Sequence, residues 1–253
     1  MTTQTQNFAS ASTLKNLFPA FPKPQAGANQ SGLNIGESLN MMVVGIGGLG
    51  VVNLSRRLRD LIAGHYPHVH TVEQRGVAQR RSSTAAVVMA SKNEIAPNLN
   101  VPETDLLIGL EPLEALRFSD KLRPGSWCFI SDSRVETIGG SSEKYAYPDT
   151  REIVAEIEEY GCNCVLLPLS KWKSNEAMEP VHASSAMLGL FCAVFGFDVE
   201  QIKHWMSDKR DADKNVRALE WGYSQFDHDA QIRWPMLEPA AEEYRQDNAF
   251  AEA

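Results

Sequence analysis

The residues best suited to chemistry are Gly45, Gly47, Gly48 and Gly50, four glycines within six positions, directly after the apolar run Met41-Met42-Val43-Val44. Glycine reaches backbone angles closed to other residues and leaves no Cβ between a ligand and the main chain. A helix opening at Val51 would aim its unpaired N–H groups, and the positive end of its dipole, at an anion. The pattern Gly45-x-Gly47-x-x-Gly50 between a strand and a helix is a dinucleotide fingerprint, and Glu73, near the end of the next expected strand, stands where a ribose-binding acid belongs. The same glycines also serve close helix–strand packing, so a nicotinamide or flavin site is one reading and tight packing the other. No Gly-Lys-Ser/Thr ending follows to reach phosphates, which excludes a P-loop nucleotidase.

A second polar loop, Gln79-Arg80-Arg81-Ser82-Ser83-Thr84, offers two guanidiniums and three hydroxyls. Such a set suits phosphate or carboxylate through two-pronged arginine hydrogen bonds, and suits a solvated basic turn equally well. His65, His68 and His70 lie close in sequence, but His65 falls beyond the expected end of a helix and Pro67 separates it from the next strand, so no metal site is expected. His182 reads as a helix-entry residue. Glu111 and Glu114 flank a helix start, where the dipole favours acids without any general-acid role. Cys128, Cys162, Cys164 and Cys192 match neither zinc nor iron–sulfur spacing and read as buried thiols in a reducing compartment.

The elements that must position these groups follow from apolar periodicity. Val51, Leu54, Leu58, Leu61 and Ile62 mark one helical face, with Gly64 at the expected C-cap. Strands are expected over Val69 to Val72, Ala85 to Ala90, Asp105 to Leu110, Trp127 to Ile130 and Val165 to Leu167, the second and third of these continuous enough to be covered on both faces. Pro112 opens one helix, and Asp149 with Glu152 has capping-box spacing for another, closed by Gly161. Helices dominate after His182: Ala186 to Phe195, an Asp198-capped helix from Val199 to Met206, and one from Val216 to about Tyr223. Alternating strands and helices predict an α/β fold, with a three-layer, mostly parallel Rossmann-like sheet and helices on both faces.

At 253 residues, 43% hydrophobic and 22% charged, the chain suits one large domain with tails. Residues 1–39, rich in Thr, Gln, Asn, Ser and Ala and broken by Pro19, Pro22 and Pro24, read as a disordered arm with a short apolar motif, Leu17-Phe18-Pro19-Ala20-Phe21. The domain covers 40–226 and an acidic tail 227–253. A net charge of -8 argues against nucleic acid as the partner. No run is long and apolar enough to span a bilayer and no signal peptide is evident, so a cytoplasmic location with no membrane partner is expected.

Three segments carry a family resemblance: Gly45-Ile46-Gly47-Gly48-Leu49-Gly50, then Gly76-Val77-Ala78-Gln79-Arg80, then Asp105-Leu106-Leu107-Ile108-Gly109-Leu110-Glu111-Pro112-Leu113-Glu114-Ala115-Leu116-Arg117. Together with Met187-Leu188-Gly189 and the stretch from Asn215 to Tyr223, they resemble the gamma-type subunit of 2-oxoacid:ferredoxin oxidoreductases, most of all the beta subunit of indolepyruvate oxidoreductase. Leu49, where that family usually has Gln, and Arg81 and Ser82, where it has two glycines, depart from the pattern. The resemblance implies an accessory subunit, inactive alone, of an enzyme that oxidatively decarboxylates a 2-oxoacid, of indolepyruvate or another aryl-pyruvate type, to its acyl-CoA while reducing ferredoxin or a similar acceptor. It implies a larger catalytic partner that carries thiamine diphosphate and the iron–sulfur clusters, no firmly held cofactor on this chain, and no catalytic residue here. On this resemblance Gly45, Gly47, Gly48, Gly50, Gln79, Arg80 and Ser82 become candidates for binding a phosphate-bearing part of coenzyme A, or for the contact surface with the catalytic subunit. A stand-alone Rossmann dehydrogenase using Glu73, and a non-catalytic binding or regulatory module on the same fold, are the competing readings.

Overall fold

The computed structural model describes residues 37–75, 82–96, 104–135, 147–159, 161–172, 182–206 and 211–226. The expected arm (apart from its last three residues), the acidic tail, and Gln79, Arg80 and Arg81 lie outside the described residues. Six strands form one sheet in the order β2-β3-β1-β4-β5-β6. They are β1 (Ser38–Ile46), β2 (His68–Arg75), β3 (Ser83–Ser91), β4 (Thr104–Gly109), β5 (Leu122–Ser131) and β6 (Asn163–Leu167). The helices are α1 (Val51–Ile62), α2 (Pro112–Arg117), α3 (Thr150–Glu159), α4 (His182–Phe195), α5 (Val199–Met206) and α6 (Ala212–Ser224). The sheet is mostly parallel, as expected, with β3 alone reversed: it runs antiparallel to both β1 and β2, while β1, β4, β5 and β6 pair in parallel. The reversal follows from chain length, because the seven residues between Arg75 and Ser83 are too few for a parallel crossover, which takes a dozen or more.

Alternation along β1 divides the core. Met41 and Val43 point to one face, under α1, α4, α5 and α6. Met42 and Val44 point to the other, under α2 and α3. Three layers result. Helix α1 buries Val51, Leu54, Leu58, Leu61 and Ile62, the stripe read from the sequence. It closes on Ala63, whose N–H bonds Arg59 O, and not on Gly64, which does not adopt a positive φ. The start of β1 takes in Ser38 and Leu39, placed in the arm by the sequence reading, because they pair with Ser91 and Ala90 and Leu39 is buried in the core. The turn expected at Arg123-Pro124-Gly125 lies inside β5, at a register shift against β4.

Two helix ends follow their sequence signals. Asp149 N–H bonds Glu152 Oε2 at 3.1 Å and Arg151 N–H bonds Asp149 Oδ1 at 2.8 Å, a capping box for α3. Asp198 Oδ1 accepts from Glu200 N–H at 2.9 Å at the start of α5. Helix α4, apolar all round, is buried along nearly its whole length. It crosses α6 at backbone contact: a Cβ on Gly189 would stand 2.0 Å from Leu219 O, and one on Gly222 would stand 1.8 Å from Ala186 O. Ser185 Oγ meets Asn215 Oδ1 at 2.8 Å on the same crossing. The distal segments that carried part of the resemblance are therefore the two sides of one helix pair. No described helix is long and apolar enough to cross a membrane.

Candidate functional site

The chain leaves β1 through α1 on one face of the sheet and leaves β4 through α2 on the other. Their carboxyl ends therefore flank a topological switch point, where open α/β sheets take ligands. Gly45 is the last-but-one residue of β1. A Cβ there would press on Leu110 Cβ and Val51 Cγ2, each at 3.1 Å, so its bareness serves the approach of α1 and the β4 end. Gly47 N–H bonds Ser82 O at 2.8 Å, which ties the glycine turn to the residue that leads into β3. Gly48 is exposed with φ +105° and Gly50 caps α1 with φ 89°, left-handed angles that glycine adopts without strain. Leu49 turns inward and is 2% exposed, so this departure from the family pattern fills the core rather than the crevice.

The first turn of α1 carries no acid, and the Gly50 side of the helix has no side-chain cap. The N–H groups of Val51, Val52 and Asn53 have no acceptor inside the helix, as at every helix start. The turn thus combines a bare approach with an unneutralised dipole end. Asn53 is exposed, and its Oδ1 accepts from Arg57 Nε at 3.3 Å. Burial lowers the Arg57 pKa, partly offset by Asp60.

Glu73 stands elsewhere. Strand β3 separates β2 from β1, which puts Glu73 about 10 Å from the β1 axis at ordinary strand spacing. In register it lies opposite Ala86, itself opposite Val43, so it also falls short of the glycine turn. Its carboxylate pairs with Arg56 at 3.1 Å. In a dinucleotide-binding sheet the second strand lies beside the first, so the strand order departs from the one that gives the ribose acid its place.

Across the crevice, the end of β4 supplies a buried polar network that sequence reasoning passed over as ordinary helix-start acids. Glu111, 1% exposed, caps α2 by accepting Glu114 N–H at 3.0 Å. Tyr147 donates its hydroxyl hydrogen to Glu111 Oε1 and accepts Leu113 N–H at 3.2 Å. The Arg134 guanidinium lies 5.1 Å from the Tyr147 ring centroid, and its Nη2 lies 3.4 Å from Asp149 Oδ2. Glu114, 2% exposed, accepts Ser83 Oγ–H at 2.5 Å and pairs with Arg117 at 3.0 Å. Burial raises the Glu111 pKa, against the lowering effect of its bonds from Tyr147, Glu114 and Val135. Burial and the adjacent Glu111 raise that of Tyr147. The cap at Glu111 was legible in the sequence, but the burial of Glu111 and Glu114 was not, because their partners Tyr147 and Ser83 come from 36 and 31 residues away.

The four cysteines are buried and none is in a disulfide. Cys128, Cys162 and Cys164 lie in the core under α2 and α3, and Cys192 lies on the opposite face, so the four do not converge on one cluster. Burial pushes the Cys162 thiol up to about 11. Among the described residues, no group of three or more His, Cys, Asp or Glu side chains is placed to hold a metal ion.

Fold and crevice define a doubly wound α/β protein with an anion-compatible turn at its switch point. The chain belongs to the pyruvate ferredoxin/flavodoxin oxidoreductase family, which residues 40–225 match. It is 27% identical over 194 residues to indolepyruvate oxidoreductase subunit IorB of Archaeoglobus fulgidus, covering 74% of this chain and 94% of that one. The IorB of Thermococcus kodakarensis is also 27% identical over 194 residues, with 74% and 95% covered. Among solved structures, the pyruvate oxidoreductase subunit PORC of Thermotoga maritima superposes with a TM-score of 0.54 at 17% identity, covering 74% of this chain and 96% of that one. The 2-oxoglutarate:ferredoxin oxidoreductase of Magnetococcus marinus, with 2-oxoglutarate, coenzyme A and succinyl-CoA bound, gives 0.56 at 18% identity. This chain is covered over 79% there, but spans about a third, 32%, of that longer chain. The family expected from the three sequence segments is thus the family shown.

Proposed function

We infer that the chain is the accessory subunit of an aryl-pyruvate oxidoreductase, with indolepyruvate as the substrate type, assembled with a larger catalytic chain. The observation that carries this reading is one of proportion. The matched region amounts to 94% of an indolepyruvate oxidoreductase subunit but only 32% of the Magnetococcus enzyme chain, so the same fold serves as a whole subunit in one enzyme and as a segment of a larger chain in the other. Thiamine diphosphate supplies the electron sink for decarboxylation and iron–sulfur clusters carry electrons toward ferredoxin; in this reading both belong to the partner chain. The division of the cysteines between two faces of the sheet supports that assignment. The contribution of this chain is positional: it presents the switch-point crevice to the catalytic partner and to the phosphate-bearing end of coenzyme A.

Gly47, Gly48 and Gly50 leave the start of α1 open to an anion, and Ser82 borders it. Gln79 and Arg80 complete the proposed ligand set on sequence grounds. Asn53→Asp tests this directly, because an acid in the first turn favours the helix while repelling phosphate. A dipole-scale repulsion of about 1 kcal/mol raises KM for coenzyme A about fivefold in the assembled enzyme and leaves KM for the 2-oxoacid unchanged. An unaltered KM for coenzyme A would remove the phosphate from this turn.

A further inference from the structure

Outside the crevice, α2 and α3 leave an open groove between them, on the face of the sheet away from α1. Its volume is about 470 Å³, and it is lined by Leu116, Ser119 and Asp120 on one side and Pro148, Glu152, Ile153 and Glu156 on the other. Ile153 is buried and Leu116 and Pro148 are half-buried, so the floor is apolar, while Asp120, Glu152 and Glu156 are exposed along the rim. Two of the three rim acids have local partners: Asp120 meets Lys121 at 2.9 Å, and Glu152 accepts Asp149 N–H. The volume lies in the range of small-ligand and side-chain pockets. An apolar floor under an acidic rim calls for an apolar segment flanked by cations.

The chain contains one such segment. Residues 1–36 carry Lys15 and Lys23 and no acidic residue, and the lysines bracket Leu17-Phe18-Pro19-Ala20-Phe21. The other terminal segment, 227–253, has seven acidic residues against two arginines and is repelled by the same rim. A second copy of the domain would bring a surface of the same net sign, given the overall charge of -8. Pro19, Pro22 and Pro24 favour extended backbone, which lowers the ordering entropy that binding would cost. Geometry permits the approach. The arm enters β1 at Ser38, at the same edge of the sheet as Asp120, which precedes the β5 start at Leu122; only β4 lies between those strands. The fourteen residues from Pro24 to Glu37 span up to about 46 Å when extended, more than the roughly 40 Å across a domain of this size.

We propose that the N-terminal arm docks in the α2–α3 groove, with the Leu17 to Phe21 segment on the Leu116–Ile153 floor and Lys15 and Lys23 facing Asp120, Glu152 and Glu156. This proposal is independent of the substrate and partner assigned above. The test is zero-length carbodiimide cross-linking of an equal mixture of ¹⁴N- and ¹⁵N-labelled full-length chain, read by peptide mass spectrometry. Amide links from Lys15 or Lys23 to the groove acids, within chains of a single isotope, are expected. Glu156→Lys with Asp120→Lys, which spares the α3 cap, causes loss of those links and of hydrogen-exchange protection over residues 14–23. Adding Lys15→Glu and Lys23→Glu to that variant restores both. Links of mixed isotope would assign the groove to a second copy. Links only from groove acids to a co-purifying larger chain would assign it to that partner. Either result, or protection of 14–23 unchanged by charge reversal, overturns the proposal.

Discussion

Gly189 and Gly222 are where single atoms matter most, because each stands where another helix's backbone occupies the space of a Cβ. An added methyl at Gly189 meets Leu219 O at 2.0 Å, and no side-chain rotation relieves a clash with main chain. Gly189→Ala is therefore expected to lower unfolding stability by about 1–3 kcal/mol, the usual cost of overpacking, seen as a lower urea midpoint. An unchanged midpoint would mean that α4 and α6 separate freely. Glu111 makes a second prediction. Its pKa is raised in the fold, chiefly by burial, so the folded state holds the proton more tightly than the unfolded chain. That contribution to stability is fully present below the ordinary Glu value of about 4.3 and is lost as pH rises through the higher folded value. In Glu111→Gln the pH-dependent loss disappears, so the stability of wild type relative to variant falls between pH 4 and pH 7. Urea midpoints of both proteins across that range measure the difference, and a constant or rising difference contradicts the assignment.

At the scale of elements, the decisive feature is β3. The glycine turn alone fits a nicotinamide or flavin site, but the reversed strand pushes β2 to the sheet edge and leaves Glu73 paired with Arg56. Calorimetry with NAD, NADP and FAD is expected to show no tight binding, whereas tight binding of any of them would restore the dehydrogenase reading. Much of this level was legible from local pattern. The α1 stripe, the Asp149–Glu152 capping box, the Asp198 cap and the buried runs of β3 and β4 are encoded within a few residues, where hydrophobic period and capping chemistry act. The direction of β3 was also present, in a connection too short for a crossover, but alternating strand and helix signals outweighed it. The Ser83–Glu114 and Glu111–Tyr147 bonds were beyond reach, since only the closed sheet brings residues so distant in sequence together. The same holds for the inward turn of Leu49, which depends on the space between sheet and helices and not on its neighbours in the chain.

For the whole molecule, the matched region is flanked by an N-terminal stretch whose first 36 residues carry no acid and by an acidic C-terminal segment. The Asp105 to Arg117 motif builds the β4 end, its buried caps and α2, so it shapes the crevice wall from within. Asp105, Glu111 and Glu114 within it meet partners distant in the chain, Asn40, Tyr147 and Ser83. The most direct test of the account is to express the full chain with and without its candidate thiamine-binding partner and assay indolepyruvate- and coenzyme A-dependent reduction of ferredoxin. The account predicts that the chain alone is inactive, that it co-purifies with the larger chain, and that the assembled pair reduces the acceptor only when both substrates are present. Activity from the isolated chain, together with failure to recover such a partner, would contradict it.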